Sequence, residues 1–248
     1  MDEGRLVVLN PDGGSAVLGV RLLSVPPKEA LRWPAAPRVA ERLDPQPDAL
    51  GDGVSWSEVD AGPDASFSGS AMDCEIVGSR LHGLRLTGAV LESGRWADVV
   101  VEDCELSAMA LEGATLVRVL FQRCRMSGLL AMGAKAQDVR FADCKIDGAN
   151  FRGSSLERCA FEDCDLAGAD FYGGTFVPGA LRRCLLAEVD FSKARCEGLD
   201  LRGSHIAGVK GAASLRGCMI TSDQMVPLGL ALLATLGAHV WDREAEDQ

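Results

Sequence analysis

Large apolar side chains recur at every fifth position through the middle of the chain, in one frame that never slips. From Ile76, Leu81, Leu86, Leu91 and Trp96 on to Leu201 and Ile206, 24 of 27 such positions are large and apolar, and only Ala131, Ala136 and Cys196 are not. Two residues before each lies a small residue in 23 of 27 cases, Leu84, Met109, Leu129 and Leu199 being the exceptions. Two residues after each, glycine fills 13 of 27 positions. A period of five fits neither the 3.6 of a helix nor the 2.0 of a strand, so a straight element of either kind would scatter these residues around its surface. The backbone must therefore turn once per repeat. Glycine tolerates the positive φ of a tight turn, and the paired small and large apolar positions fill a narrow interior.

Several stretches give this repeat a family likeness. Gly148-Ala149-Asn150-Phe151-Arg152-Gly153, Gly168-Ala169-Asp170-Phe171-Tyr172-Gly173 and Glu188-Val189-Asp190-Phe191-Ser192 match the pattern A-[D/N]-L-x-x. Over roughly residues 71–210 the chain resembles the pentapeptide-repeat protein family. That resemblance implies an all-β fold: a right-handed quadrilateral β-helix with four pentapeptides per coil, about seven coils and about 34 Å long at the interstrand spacing. Stability must then come from stacking, since no single coil can bury its own core.

Four repeats per coil place residues twenty apart in one stack, and the sequence carries this second period. Cys104, Cys124, Cys144, Cys164 and Cys184 recur at intervals of twenty in the small interior position. Phe121, Phe141 and Phe161 form a second column, and Phe151, Phe171 and Phe191 a third on the opposite face. Leu129 in a small position precedes Ala131 in a large one, which reads as volume compensation in a close-packed interior.

The ends leave the frame. Residues 1–65 read as an N-terminal extension, in which 5–9 and 15–23 form two strands joined by Pro11-Asp12-Gly13-Gly14 and a proline-rich linker follows. The β-helix is assigned to residues 66–210, with Trp56 or Phe67 opening a degenerate first coil. The extension serves either as a cap over the open β-helix edge or as a docking arm. Residues 211–248 read as a helix and an acidic tail. Thr221 and Gln224 form a capping box, Pro227 implies a kink or late start, and Gly237 stops the helix. Its apolar stripe of Met225, Leu228, Leu232, Leu233 and Leu236 either caps the last coil or pairs with a second chain. The family resemblance favours a homodimer through this helix.

Composition narrows the function. No apolar stretch follows a basic N-terminal segment, and the run 225–241 falls short of a bilayer span, so a cytoplasmic protein is expected. The nine cysteines include no C-x-x-C pair, and stacked thiols form a line rather than a tetrahedron, so neither a metal nor any cofactor is expected. Parallel Cβ vectors disfavour disulfides, leaving cysteine as a small buried hydrophobe in a reducing compartment. No phosphate-loop, dinucleotide or zinc-protease motif occurs, His82 and His205 stand alone on the outside, and no catalytic residue is assigned.

The net charge of −11 is spread unevenly: residues 71–210 hold 20 acidic and 17 basic side chains, a net of only −3. Asp103, Arg123 and Asp143 share one column, while Glu105, Arg125, Lys145 and Asp165 share the next. Alternating signs predict surface ion pairs rather than a continuous negative mimic of nucleic acid. The candidate partner surface comprises Glu102, Asp103, Glu105, Glu162, Asp163 and Asp165 with the outward apolar residues Leu120, Leu130 and Met132. The expected role is a non-catalytic protein-binding module without direct nucleic-acid or membrane contact. The resemblance names a gyrase-type DNA topoisomerase as the candidate partner. A scaffold docking partners through its N-terminal extension is the alternative.

Overall fold

The computed structural model describes residues 6–9, 15–18, 34–45, 51–65 and 69–238. Contacts divide the chain into two compact units, Met1–Ala30 and Leu31–Gln248. In the first, β1 (Leu6–Leu9) and β2 (Ser15–Leu18) pair antiparallel, with Leu6 opposite Leu18. The connecting residues 11–14 and residues 19–23 lie outside the described residues.

The second unit is a right-handed quadrilateral β-helix with a C-terminal helix. Its strands are β3 (Asp44–Pro45), β4 (Ser55–Ser57), β5 (Val59–Ala61), β6 (Glu75–Val77), β7 (Arg80–His82), β8 (Arg95–Glu102), β9 (Thr115–Gln122) and β10 (Lys135–Ala142), followed by shorter strands as far as His205–Ala207. All of these pair in parallel, and from β4 onward each strand lies twenty residues from its neighbour: Val101 stacks on Phe121 and Phe121 on Phe141. The ladder opens at Ser55, with Trp56 beside Ile76 and fully inside, eleven residues ahead of the expected boundary at 66. It runs to Met219, which makes about eight rungs rather than seven.

Every fifth residue turns a corner. Except at Pro178, which follows a cis peptide bond, the position two after each large apolar residue has positive φ whether it is glycine, as at Gly148 (φ 64), or not, as at Asp98 (57), Arg118 (52), Asp138 (57) and Arg158 (50). Left-handed backbone disfavours a Cβ, so each non-glycine corner carries strain that the surrounding ladder holds in place.

Side chains fill the axis. Phe121, Phe141 and Phe161 stack at 4.9 and 4.4 Å, and Phe151, Phe171 and Phe191 at 5.0 and 5.4 Å. The two stacks meet edge to face, Phe151 against Phe161 at 5.9 Å and 80°, an arrangement favoured by ring quadrupoles. Leu129 and Ala131 are both buried, so a large residue in the small position offsets a small one in the large position. Gly179 is needed in its slot because a Cβ there would lie 2.2 Å from the Phe176 ring.

The nine cysteines are unpaired, and all but Cys218 are buried. Burial pushes the thiols of Cys74, Cys159 and Cys196 up to about 11, 12 and 12. In the stacked column each thiol donates to two carbonyls, one two residues back and one twenty-three back, as Cys184 Sγ does to Arg182 O (3.2 Å) and Phe161 O (3.4 Å). Ser204 continues the column by donating to Leu181 O at 2.7 Å, and Gln224 ends it by donating to Leu201 O at 2.7 Å. Cysteine, serine and glutamine thus perform one task, satisfying carbonyls that face the interior.

Both ends of the solenoid are closed in part. At the N-terminal end β3 pairs with β5 at an offset of fifteen, Asp44 beside Val59, one side short of a full rung. At the C-terminal end Asp200 bridges to Met219, an offset of nineteen. The missing residue is absorbed at Gly211, where a Cβ would lie 2.3 Å from Ser192 N. A 3-10 turn (Ser222–Gln224) leads into α1 (Met225–Thr235), and the Thr221 N–H donates to Gln224 Oε1 at 2.8 Å. Pro227 therefore falls in the first turn, where its missing N–H costs nothing. The helix ends at Gly237 (φ 67), with Gly237 N–H on Ala234 O and Ala238 N–H on Leu233 O, the double bond pattern of a Schellman stop.

Candidate functional site

With the axis filled, the chemistry of the solenoid lies on its outside, which consists of four faces and four corner columns. The expected partner residues do not form one patch. Leu130 and Met132 are exposed on one face, Leu120 is half-buried on the opposite one, and ten residues of separation is half a rung. Glu102 and Glu162 share the face of Leu120, Asp103 and Asp163 stand on the corner beside it, and Glu105 and Asp165 on the next face.

Most of these acids are paired. Arg123 grips Asp103 with two bonds of 2.8 and 2.9 Å, and Arg183 grips Asp163 with two of 2.8 Å. Glu162, nearly buried, accepts from Arg140 at 2.7 Å and lies 3.5 Å from Arg183. Arg125 reaches Glu105 at 3.3 Å, whereas Lys145 turns to Asp147 at 3.8 Å rather than to Asp165. His82 does have a neighbour: its Nε2 lies 3.5 Å from Asp60 Oδ1, both side chains being nearly half exposed.

The adjoining corner column is the more developed one. Arg118 donates to Asp98 through Nε (2.6 Å) and Nη2 (2.5 Å), and Arg158 to Asp138 through the same two atoms at 2.8 Å each. These bidentate arginine bonds hold both carboxyls below the ordinary carboxylate range. The four side chains are 12–27% exposed, against 45–58% for Asp103, Arg123, Asp163 and Arg183. An extended segment accounts for the difference: the N–H of Arg38 donates to Asp98 Oδ1 at 2.9 Å, and that of Ala35 to Asp138 Oδ1 at 3.2 Å.

At the far end, Asp200 is fully buried between Arg182 (2.5 Å) and Arg202 (2.8 Å), and its pKa is lowered; burial opposes that shift and the arginine bonds outweigh it. The expected helix stripe is split. Leu228 packs on the end of the solenoid while Met225, Leu232, Leu233 and Leu236 are exposed together with Val226 and Leu230. The helix therefore caps the last rung and still presents an apolar outer side. Among the described residues no group of three or more His, Cys, Asp or Glu is placed to hold a metal, and no helix is long and apolar enough to cross a membrane.

Residues 134–210 match the family model described as a pentapeptide repeat region. This part of the chain is a pentapeptide-repeat β-helix. Similar solved structures include a trypsin-treated form of QnrB1, a plasmid-mediated fluoroquinolone resistance protein (18% identity, 77% of this chain and 99% of that one, TM-score 0.34). Another is HetL, a pentapeptide repeat protein involved in heterocyst differentiation regulation in the cyanobacterium Nostoc (17%, 69% and 89%, TM-score 0.32). A third is a pentapeptide repeat protein of the Arabidopsis thaliana thylakoid lumen (22%, 51% and 75%, TM-score 0.28). No curated protein matches the sequence.

The Asp103 column of the rod is among the expected partner residues, and its neighbour is not. The signal was present: every twentieth residue from Asp98 reads Asp, Arg, Asp, Arg. The covering segment left only its proline spacing, because it binds through backbone N–H groups that any residue but proline carries.

Proposed function

We propose that the chain is a non-catalytic protein-binding module that engages a large partner through the outside of its pentapeptide-repeat rod. The observation that carries this reading is the filled axis: stacked Phe121, Phe141 and Phe161 meet Phe151, Phe171 and Phe191 edge to face and occupy the interior where a substrate would sit. Corners held at fixed backbone angles by the ladder also present their side chains with little freedom left to lose on binding.

The family resemblance makes a gyrase-type DNA topoisomerase the first partner to test. Contact would be with the enzyme's protein surface, since corner columns that alternate Asp with Arg lack the unbroken negative row of a nucleic-acid mimic. Supercoiling by gyrase, with and without a poison, is the test: protection or inhibition at micromolar chain supports the topoisomerase, and neither effect removes it. The exposed apolar side of α1 supports a homodimer, which a monomer in sedimentation equilibrium at micromolar concentration would exclude. Nine unpaired thiols support a reducing, cytoplasmic location.

The scaffold reading draws on the N-terminal extension, whose residues 1–30 form a compact unit of their own. Deleting residues 1–30 leaves the rod's own contacts in place, so a partner lost with that deletion is held by the extension.

A further inference from the structure

Of the four corner columns, one alone is covered among the described residues. Residues 34–38 run along it, against the direction in which the rungs climb. Asp138 and Asp98 lie two rungs apart, about 9.6 Å at the interstrand spacing, and the N–H groups that reach them belong to residues three apart, about 9.3 Å in a polyproline II helix. Pro34 and Pro37 are half-buried while Ala35, Ala36 and Arg38 are exposed, so the side facing the rod also repeats every three residues. The segment reads Pro-x-x-Pro, with each bonded N–H on the residue after a proline.

The receiving side is held by side chains of the rod itself. Arg118 and Arg158 fix both carboxylates by two bonds each, leaving Oδ1 aimed at the passing backbone. None of these contacts needs the segment to belong to this chain, because backbone N–H groups are common to all chains and the prolines set only shape and spacing.

We propose that the corner of Asp98, Arg118, Asp138 and Arg158 is a binding track for an extended Pro-x-x-Pro segment of a partner protein, and that residues 34–38 are its resident, exchangeable occupant. The track deepens the protein-binding reading and rests on it: it says which surface is used and what chemistry the partner brings. The resident segment gives the motif its terms, namely proline, one residue with a free N–H, one unconstrained residue, proline, and a second free N–H.

The test uses the full chain. Ala35→Pro with Arg38→Pro removes both donors, is compatible with a polyproline II backbone and opens the track. The probe is a fluorescent peptide with the sequence of residues 31–45, followed by anisotropy at physiological ionic strength. The expected result is binding to the double variant at least about tenfold tighter than to the unaltered chain, whose track is filled. Adding Asp98→Ala and Asp138→Ala should abolish that binding, and adding Asp103→Ala and Asp163→Ala on the bare corner should leave it unchanged. A peptide carrying the same two proline substitutions should fail on every form. Equal binding to the filled and opened chains, or binding that survives loss of Asp98 and Asp138, overturns the track. Should the Asp98 and Asp138 variants fail to fold, amide exchange on the unaltered chain decides: Ala35 and Arg38 N–H protected, and exposed when excess peptide is added, supports exchange, and no change overturns it. If the peptide fails while gyrase protection persists, the track alone is lost; if the chain also leaves gyrase untouched, the topoisomerase assignment falls separately.

Discussion

Two neighbouring corners of the rod are built from the same parts. Asp98 with Arg118 and Asp138 with Arg158 on one, Asp103 with Arg123 and Asp163 with Arg183 on the other, share residue types, left-handed backbone and two-bond geometry. One is half-buried under residues 34–38 and the other is bare. The repeat therefore determines the scaffold of each corner, while a segment from outside the repeat makes one corner different from the next.

That contrast can be broken or sharpened by experiment, starting where the effect is largest. Phe161→Ala removes a ring that ends one stack and meets the other edge to face behind the two corners, and should cost about 3–5 kcal/mol, read from urea unfolding; a loss under about 1 kcal/mol would mean that the axis is not the common support. Asp138→Ala should cost about 1–3 kcal/mol, because it leaves Arg158 half-buried and the Ala35 N–H without its acceptor. Asp163→Ala, at an exposed corner, should cost below about 1 kcal/mol. Equal losses at the two corners would erase the distinction.

The acid limb of stability separates the corners more finely. Bonding to arginine lowers the pKa of Asp98, Asp138, Asp103 and Asp163 in the folded chain. In the unfolded chain they regain their ordinary value, so in the window between the two the folded state binds fewer protons. Their contribution is complete above pH of about 4 and is lost as the pH falls through the depressed values. The pair Asp98→Asn and Asp138→Asn should flatten this limb, and the pair Asp103→Asn and Asp163→Asn should flatten it less, measured as unfolding midpoints over a pH series. Salt gives the smallest effect. At about 1 M the screening length is about 3 Å, so the cost of Asp163→Asn should vanish while most of that of Asp138→Asn remains.

Much of the rod can be read from the sequence because two periods reinforce each other. Five residues place a corner, twenty place a neighbour, and the thiol and phenyl columns follow without further information. The ends are harder because their rules are local. Trp56 fits the interior, but its flanking repeats are too degenerate to fix a start from sequence, and Gly211 drops one residue through a close backbone approach that leaves no periodic mark. The outer apolar residues were separable by counting alone, since Leu120 and Leu130 differ by half a rung. The helix stripe was not, because Leu228 is set apart from Leu232 and Leu233 only by the rung it covers.

The alternation of sign along the covered corner constrains how such a molecule can lengthen. Duplicating twenty residues within it would add one storey yet set aspartate upon aspartate or arginine upon arginine, both at strained corners. Duplicating forty would return each charge to an opposite neighbour. For this chain the natural increment of growth is thus the double storey, and a lineage that gained or lost a single one would have to rewrite its charges to survive the change.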